Sequence, residues 1–175
     1  MLDVGSWDGA VSFYVEEKGA KSVTAMDQQY MRDETLPDRG YGQGFEIAKK
    51  IKNSKVIPVG ASILNPGDVG PFDTILFFGV LYHLACPYQS LVILRKLLRP
   101  GGDLFIETTS SAALEEIKLP VLEFNPLRDP DHIVRQKTNF FNANTLALTT
   151  MLQDANFKVN KHYIKHGRLH VHATK

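Results

Sequence analysis

Apolar positions along this chain switch repeatedly between two spacings. Residues 2–4 form a short apolar run that stops at Gly5. Residues 11–18 show helical spacing and meet Gly19, a residue suited to ending a helix, and residues 22–26 return to a strand pattern. After a polar loop, the pattern predicts a helix over 45–51, with Glu46 and Lys50 spaced to pair, and a strand over 55–59. Residues 73–78 are an almost unbroken apolar run between Gly70-Pro71 and Gly79, as expected of a central strand buried on both faces. Pro87 then opens a helix that carries Leu91, Leu94, Leu97 and Leu98 inward and stops before Pro100-Gly101-Gly102, and a strand follows over 103–108.

This alternation implies a mainly parallel sheet with helices on both faces, an α/β, Rossmann-like doubly wound fold in a single domain over residues 1–175. Residues 110–138 break the rhythm, holding Pro120, Pro126 and Pro130, and are expected as an irregular insert that acts as a lid. A last helix is expected over 144–156. Two strand-like segments, 158–164 and 169–174, then flank Lys165-His166-Gly167, so closely that they must form a hairpin.

Composition narrows the field. An apolar fraction of 43% with 22% charged residues is ordinary for a globular protein. Lys and Arg number 20 against 19 Asp and Glu, so the overall charge gives no argument for nucleic acid or an anionic membrane; an RNA acceptor would need a local patch. The single cysteine, Cys86, excludes an internal disulfide, is assigned to packing, and fits a cytoplasmic setting. No stretch reaches the roughly 18 apolar residues that span a bilayer.

In an open parallel sheet, ligands bind beyond the carboxyl ends of the strands, where Asp3-Val4-Gly5-Ser6-Trp7-Asp8-Gly9 lies. Gly5 allows a tight turn and Gly9 a close backbone approach, while the N–H groups of the following helix favour an anionic group. Asp27, 24 positions after Asp3, ends the second strand where an acid can accept both hydroxyls of a ribose. A three-glycine dinucleotide pattern is absent. The structural alternative is that Gly5 and Gly9 only turn the chain and Asp8 caps a helix.

The segments "LDVGSWDGAVSFYVEEKGAKSVTAMD", "FDTILFFGVLYHLACPYQSLVILRKLLRPGGDLFIET" and "NFFNANTLALTTMLQDANF" resemble class I S-adenosylmethionine-dependent methyltransferases. Gly79-Val80-Leu81-Tyr82-His83 followed by Pro87 is more particular to the group of tRNA wobble-uridine methyltransferases or carboxymethyltransferases. The resemblance implies a seven-stranded sheet with its last strand antiparallel, and a chain that opens at the first strand without the N-terminal helices of relatives. It also implies that Asp3, Gly5, Ser6, Trp7 and Gly9 cradle the methionine part of S-adenosyl-L-methionine, that Asp8 binds its amino group, and that Asp27 with Gln28 holds the ribose. Ser62 and Ile63 would flank the adenine, where the family's usual acid is missing, and Phe78 and Gly79 would lie beside the sulfonium. An aromatic face attracts such a cation by roughly 0.5–2 kcal/mol.

Methyl transfer is an in-line displacement that mainly needs alignment and a dry site. His83 is the candidate base for an acceptor that must lose a proton; the alternative is that it only bonds to backbone. Tyr82 and Arg168 match the pair that binds the extra carboxylate of carboxy-S-adenosyl-L-methionine in the carboxymethyl branch, and their alternatives are a packed aromatic and a solvated hairpin charge. The third member there is a lysine upstream of the first strand. Plain methyl transfer to a small molecule or modified nucleoside is therefore the expected reaction; the alternatives are carboxymethyl transfer to tRNA and a cofactor-binding domain that needs a further segment or partner. Trp7, Phe140 and Phe141 are expected mainly as packing, with Phe141 a candidate roof for the acceptor. His170 and His172, with His162 and His166 nearby, are read as polar alternation on an outer strand, with no metal expected.

Overall fold

The computed structural model describes residues 1–30, 42–125 and 139–175. Its main sheet has seven strands: β1 (Leu2–Val4), β2 (Thr24–Met26), β3 (Ile57–Val59), β4 (Phe72–Phe78), β5 (Leu98–Thr109), β8 (Lys158–Lys165) and β9 (Arg168–Thr174). Their spatial order is β3-β2-β1-β4-β5-β9-β8, parallel except for β9, which runs antiparallel to both neighbours. The α/β doubly wound sheet with its antiparallel terminal hairpin is thus as the sequence implies.

The central strands earn their place by burial on both faces. All of β1 is buried, as are Ile75, Leu76 and Phe77 of β4. Alternate residues face different helices. On one face, α1 (Ala10–Glu17) and α2 (Gln43–Lys52) bring Phe13 and Phe45 against Val23, Ala25 and Val56. On the other, α3 (Pro87–Leu97) and α5 (Thr145–Asp154) pack Leu91, Leu94, Leu148 and Leu152 on Leu2, Val4, Ile75, Phe77, Leu104 and Ile106. Reversal of strand order between β1 and β4 opens a crevice at their carboxyl ends.

Several details differ from the sequence pattern. Leu98 begins β5 rather than ending α3, because the backbone is already extended there. Among the described residues Lys52, and not Lys50, makes an ion pair from α2, reaching Glu17 of α1 at 2.6 Å. Part of the expected irregular insert is ordered: α4 (Ala112–Glu116) is capped by the Ser111 hydroxyl, and β6 (Leu122–Phe124) pairs antiparallel with β7 (Phe141–Ala143). Residues 126–138 of that insert lie outside the described residues. Asn144 ties this region to α5: its Oδ1 accepts from the Ala147 and Val121 N–H groups, and its Nδ2 donates to the carbonyls of Leu114, Ile117 and Leu119. Among the described residues no helix is long and apolar enough to cross a membrane.

Candidate active site at the strand tips

The turn after β1 is fixed by backbone bonds to the tip of β2. Gly5 N–H donates to the Met26 carbonyl at 2.8 Å and Ser6 N–H to the same oxygen at 3.3 Å. Gly5 needs its left-handed backbone, φ 72°, and its bareness: a Cβ there would stand 2.3 Å from Val80 Cγ2. Gly9, φ 82°, sits equally close to Phe13 and Phe45. These glycines therefore let the strand tips and α1 approach closely.

Trp7 also adopts a left-handed conformation, φ 48°, which turns its ring outward to 68% exposure in place of the expected packing. Its N–H donates to Asp27 Oδ2 at 2.9 Å, so the acidic tip of β2 and the first turn are one unit. Tyr30, in the short 3₁₀ turn after Asp27, closes this unit: its hydroxyl donates to the Trp7 carbonyl and lies 3.0 Å from Ser6 Oγ. Burial pushes the Tyr30 phenol well above its ordinary value. Gln28 in the same turn and Asp8 are exposed, and the Asp8 carboxylate lies against Gly44 in the first turn of α2.

Asp3 is the unusual member. It is 3% exposed and accepts a 2.5 Å hydrogen bond from the Ser12 hydroxyl. Burial pushes its carboxyl up to about 6; the Ser12 bonds hold it down and the Asp27 charge adds to the rise. A second carboxylate beside a buried one favours a cation between or near them.

At the tip of β4, Phe78 is 36% exposed and Gly79 donates its N–H to the Glu107 carbonyl at 3.0 Å. Tyr82 and His83 follow in a 3₁₀ turn, Tyr82 buried and His83 exposed, with rings 4.2 Å apart. Arg168, at the head of β9, donates through Nη2 to the Tyr82 hydroxyl at 3.3 Å, and its guanidinium carbon lies 5.0 Å from the Tyr82 ring centre. The structure thus joins two residues that are 86 positions apart. It adds one the sequence reading missed: Glu107 of β5 accepts from Arg168 Nε and, at 2.8 Å, from Nη2. That fork raises the guanidinium pKa further above its ordinary value. An added Cβ on Gly79 would make ordinary contact with Tyr82, Glu107 and Arg168 at 3.5–4.0 Å, so the cluster packs directly against the tip of β4.

The remaining candidates lie further out. Ser62 caps its own loop, accepting from the Leu64 N–H at 3.3 Å, and Ile63 is 3% exposed within the main core. Phe141 pairs with Phe124 across β6–β7, while the neighbouring Phe140 N–H donates to the Tyr82 carbonyl at 2.7 Å. Cys86, assigned to packing, is exposed at the start of α3. His170 stacks on Tyr163, and His172 stacks on Phe105 and bonds Asp103; among the described residues no group of three or more ligating side chains could hold a metal.

A left-handed turn, a ribose-suited acid and buried Asp3 suit an adenosyl amino acid. Comparison with known proteins agrees. The tRNA U34 carboxymethyltransferase of Methylococcus capsulatus is 35% identical over 109 residues, covering 62% of this chain and 31% of that protein. That of Glaesserella parasuis is 28% identical over 163 residues, 90% of this chain and 45% of that protein. The chain therefore spans under half the length of these relatives. Among solved structures, a Burkholderia thailandensis 1,6-didemethyltoxoflavin-N1-methyltransferase with S-adenosylhomocysteine bound superposes with a TM-score of 0.71 at 21% identity, covering 99% of this chain and 69% of that one. The [4+2]-cyclase SpnF superposes with 0.74 at 14% identity, covering 99% and 74%, so the fold alone does not fix the chemistry. The methyltransferase domain family matches residues 1–162, and the chain belongs to that family.

Proposed function

We propose that this chain binds S-adenosyl-L-methionine across the tips of β1, β2 and β4 and transfers its methyl group to a small-molecule or modified-nucleoside acceptor. The observation that carries the reading is the Trp7 N–H bond to Asp27 Oδ2, which locks the glycine turn to the ribose-suited acid. In this reading the Asp27 carboxylate accepts from the ribose hydroxyls, and charge-assisted bonds of this kind are the strong ones. Asp3 and Asp8 put negative charge where the amino group of a methionine would sit. When bound, the cofactor supplies an activated methyl with its own leaving group, so the chain's task is alignment and exclusion of water. Phe78 and Gly79 border the methyl-bearing side. In this reading His83, exposed next to Tyr82, takes a proton from an acceptor, and Phe141 lies in the β6–β7 ribbon whose Phe140 N–H bonds the Tyr82 carbonyl.

A second reading has its own support in the Tyr82–Arg168 contact: a phenol and a guanidinium side by side suit the extra carboxylate of carboxy-S-adenosyl-L-methionine and carboxymethyl transfer to tRNA, the activity in the names of the relatives. A cytoplasmic setting goes with either. Mass spectrometry of nucleosides released from the purified chain separates them. S-adenosylmethionine or its demethylated product is the expected finding; the carboxylated form would overturn plain methyl transfer in favour of the second reading.

A further inference from the structure

The near-neutral total hides a sharp asymmetry. Residues 155–175 contain Lys158, Lys161, Lys165, Arg168 and Lys175 and neither Asp nor Glu, a charge of +5; with a total of +1, the rest of the chain carries −4 (1 − 5). Four of the six histidines are also here. The fold lays this segment out as the β8–β9 hairpin, with β8 the outer edge of the sheet.

The two faces of the hairpin differ. Leu169, Val171 and Ala173 are buried in the core that includes Leu148 and Leu152 of α5. The register puts Lys161, Tyr163 and Lys165 on the other face, opposite His172, His170 and Arg168. There the rings lie nearly flat on one another: Tyr163 on His170 at 4.6 Å and 8°, and His172 on Phe105 at 4.5 Å and 7°. Tyr163 remains 48% exposed, and Lys161 Nζ lies 5.9 Å from its ring centre. Arg168 is neutralised by Glu107 and His172 faces Asp103, whereas Lys161 and Lys165 have no carboxylate partner among the described residues. Side chains on one strand face repeat about every 7 Å. The row ends at the Lys165–Arg168 pair, on the sheet edge that holds Gly79 and Tyr82.

Lysines without a carboxylate partner on either side of the exposed Tyr163 ring, with the half-buried rings of His170 and His172 beside it, suit a polyanion that carries planar bases. An acidic peptide would use the lysines but not the stacked rings. We infer that the Lys161–Tyr163–Lys165 face of the β8–β9 hairpin docks single-stranded RNA and leads it to the strand tips. Only the destination rests on the methyl-transfer reading; docking is a property of the face itself.

Anisotropy of a fluorescein-labelled, unstructured single-stranded RNA oligonucleotide, titrated with the full chain over a series of salt concentrations, tests this. Replacing Lys161 and Lys165 together by Ala is expected to reduce the log–log salt slope by about 1.4, at about 0.7 per phosphate contact on a single strand. Tyr163→Ala is expected to lower affinity about tenfold with the slope unchanged, as loss of a stacking platform does. Changing Lys49 and Lys50 of α2 to Ala serves as the control and leaves both quantities unaltered. The inference is overturned if the chain does not bind the RNA at low salt, if the lysine variant keeps the wild-type slope, if Tyr163→Ala binds as wild type, or if anionic vesicles bind more tightly than the RNA. Calorimetry with S-adenosylmethionine on the same proteins keeps the two conclusions apart: a chain that binds RNA but not the cofactor refutes the methyl-transfer reading and leaves the docking face standing.

Discussion

Asp3 offers a direct measure of what the site costs the fold. Its carboxyl is held at about 6 in the folded chain against an ordinary 3.8, chiefly by burial. At about 1.36 kcal/mol per tenfold change in proton affinity, ionising it inside the fold costs about 3 kcal/mol at neutral pH. The folded chain binds the proton more tightly than the unfolded one, so this group favours the fold fully below 3.8. That contribution is lost as pH rises to about 6. Asp3→Asn keeps an oxygen for the Ser12 hydroxyl and removes the charge. The variant should match wild type in acid, exceed it by about 1–3 kcal/mol at neutral pH, and melt about 2–4 °C higher per kcal/mol gained. Urea denaturation across that pH range measures the difference, and calorimetry should show weaker S-adenosylmethionine binding, because the ammonium has lost a counter-charge. Equal stability of the two proteins at neutral pH, or a variant less stable there, would refute the burial argument.

Asp27→Ala removes both the ribose acceptor and the partner of the Trp7 N–H, and should weaken cofactor binding by about 1–3 kcal/mol in calorimetry. Gly5→Ala should destabilise by about 2–4 kcal/mol in urea, from the left-handed backbone and the Val80 clash together. Gly19→Ala, with φ 95° but nothing within 4 Å of its Cβ, should cost only the backbone part, about 1–2 kcal/mol. Asn144→Ala strips the cap of α5 and leaves the three carbonyls of residues 114–119 without their amide, for about 2–4 kcal/mol by thermal melting; an effect under about 1 kcal/mol would show that solvent replaces the lost bonds.

What the sequence made legible is what local patterning controls. The apolar run of β4, the leucine spacing of α3 and the short link between β8 and β9 each carry their own signal, so the doubly wound sheet and its hairpin could be read directly. Residues 110–125 could not. There α4 spans five residues and β6 three, too short for either period to show, and what orders them is Asn144, some 20 to 30 positions downstream. The first turn was readable because Gly5, Gly9 and Asp27 are types with few other reasons to stand at strand ends. Tyr30 and Glu107 were not. Tyr30 reads as one more aromatic until the turn folds its hydroxyl onto Ser6 and Trp7, and Glu107 looks like an outward residue of an alternating strand. The docking face was hidden for a related reason, since a total charge says nothing about which residues register brings side by side.

Glu107 also decides how the Tyr82–Arg168 pair is to be weighed. Both carboxylate oxygens of Glu107 are engaged by Arg168, through Nε and Nη2, so the cluster presents little net charge to whatever lies beside Gly79. A methyl sulfonium next to such a cluster meets an anion and a cation whose fields largely cancel. A carboxylate brought to the same place must share the guanidinium with Glu107, and two carboxylates about 4 Å apart repel by about 4 kcal/mol at a partly screened site. Carboxylate binding there therefore calls for a further cation, the part that a lysine upstream of the first strand plays in the carboxymethyl branch this chain resembles. Methyl transfer calls for no such cation, so the Glu107–Arg168 pairing supports the proposed methyl transfer over the carboxymethyl reading.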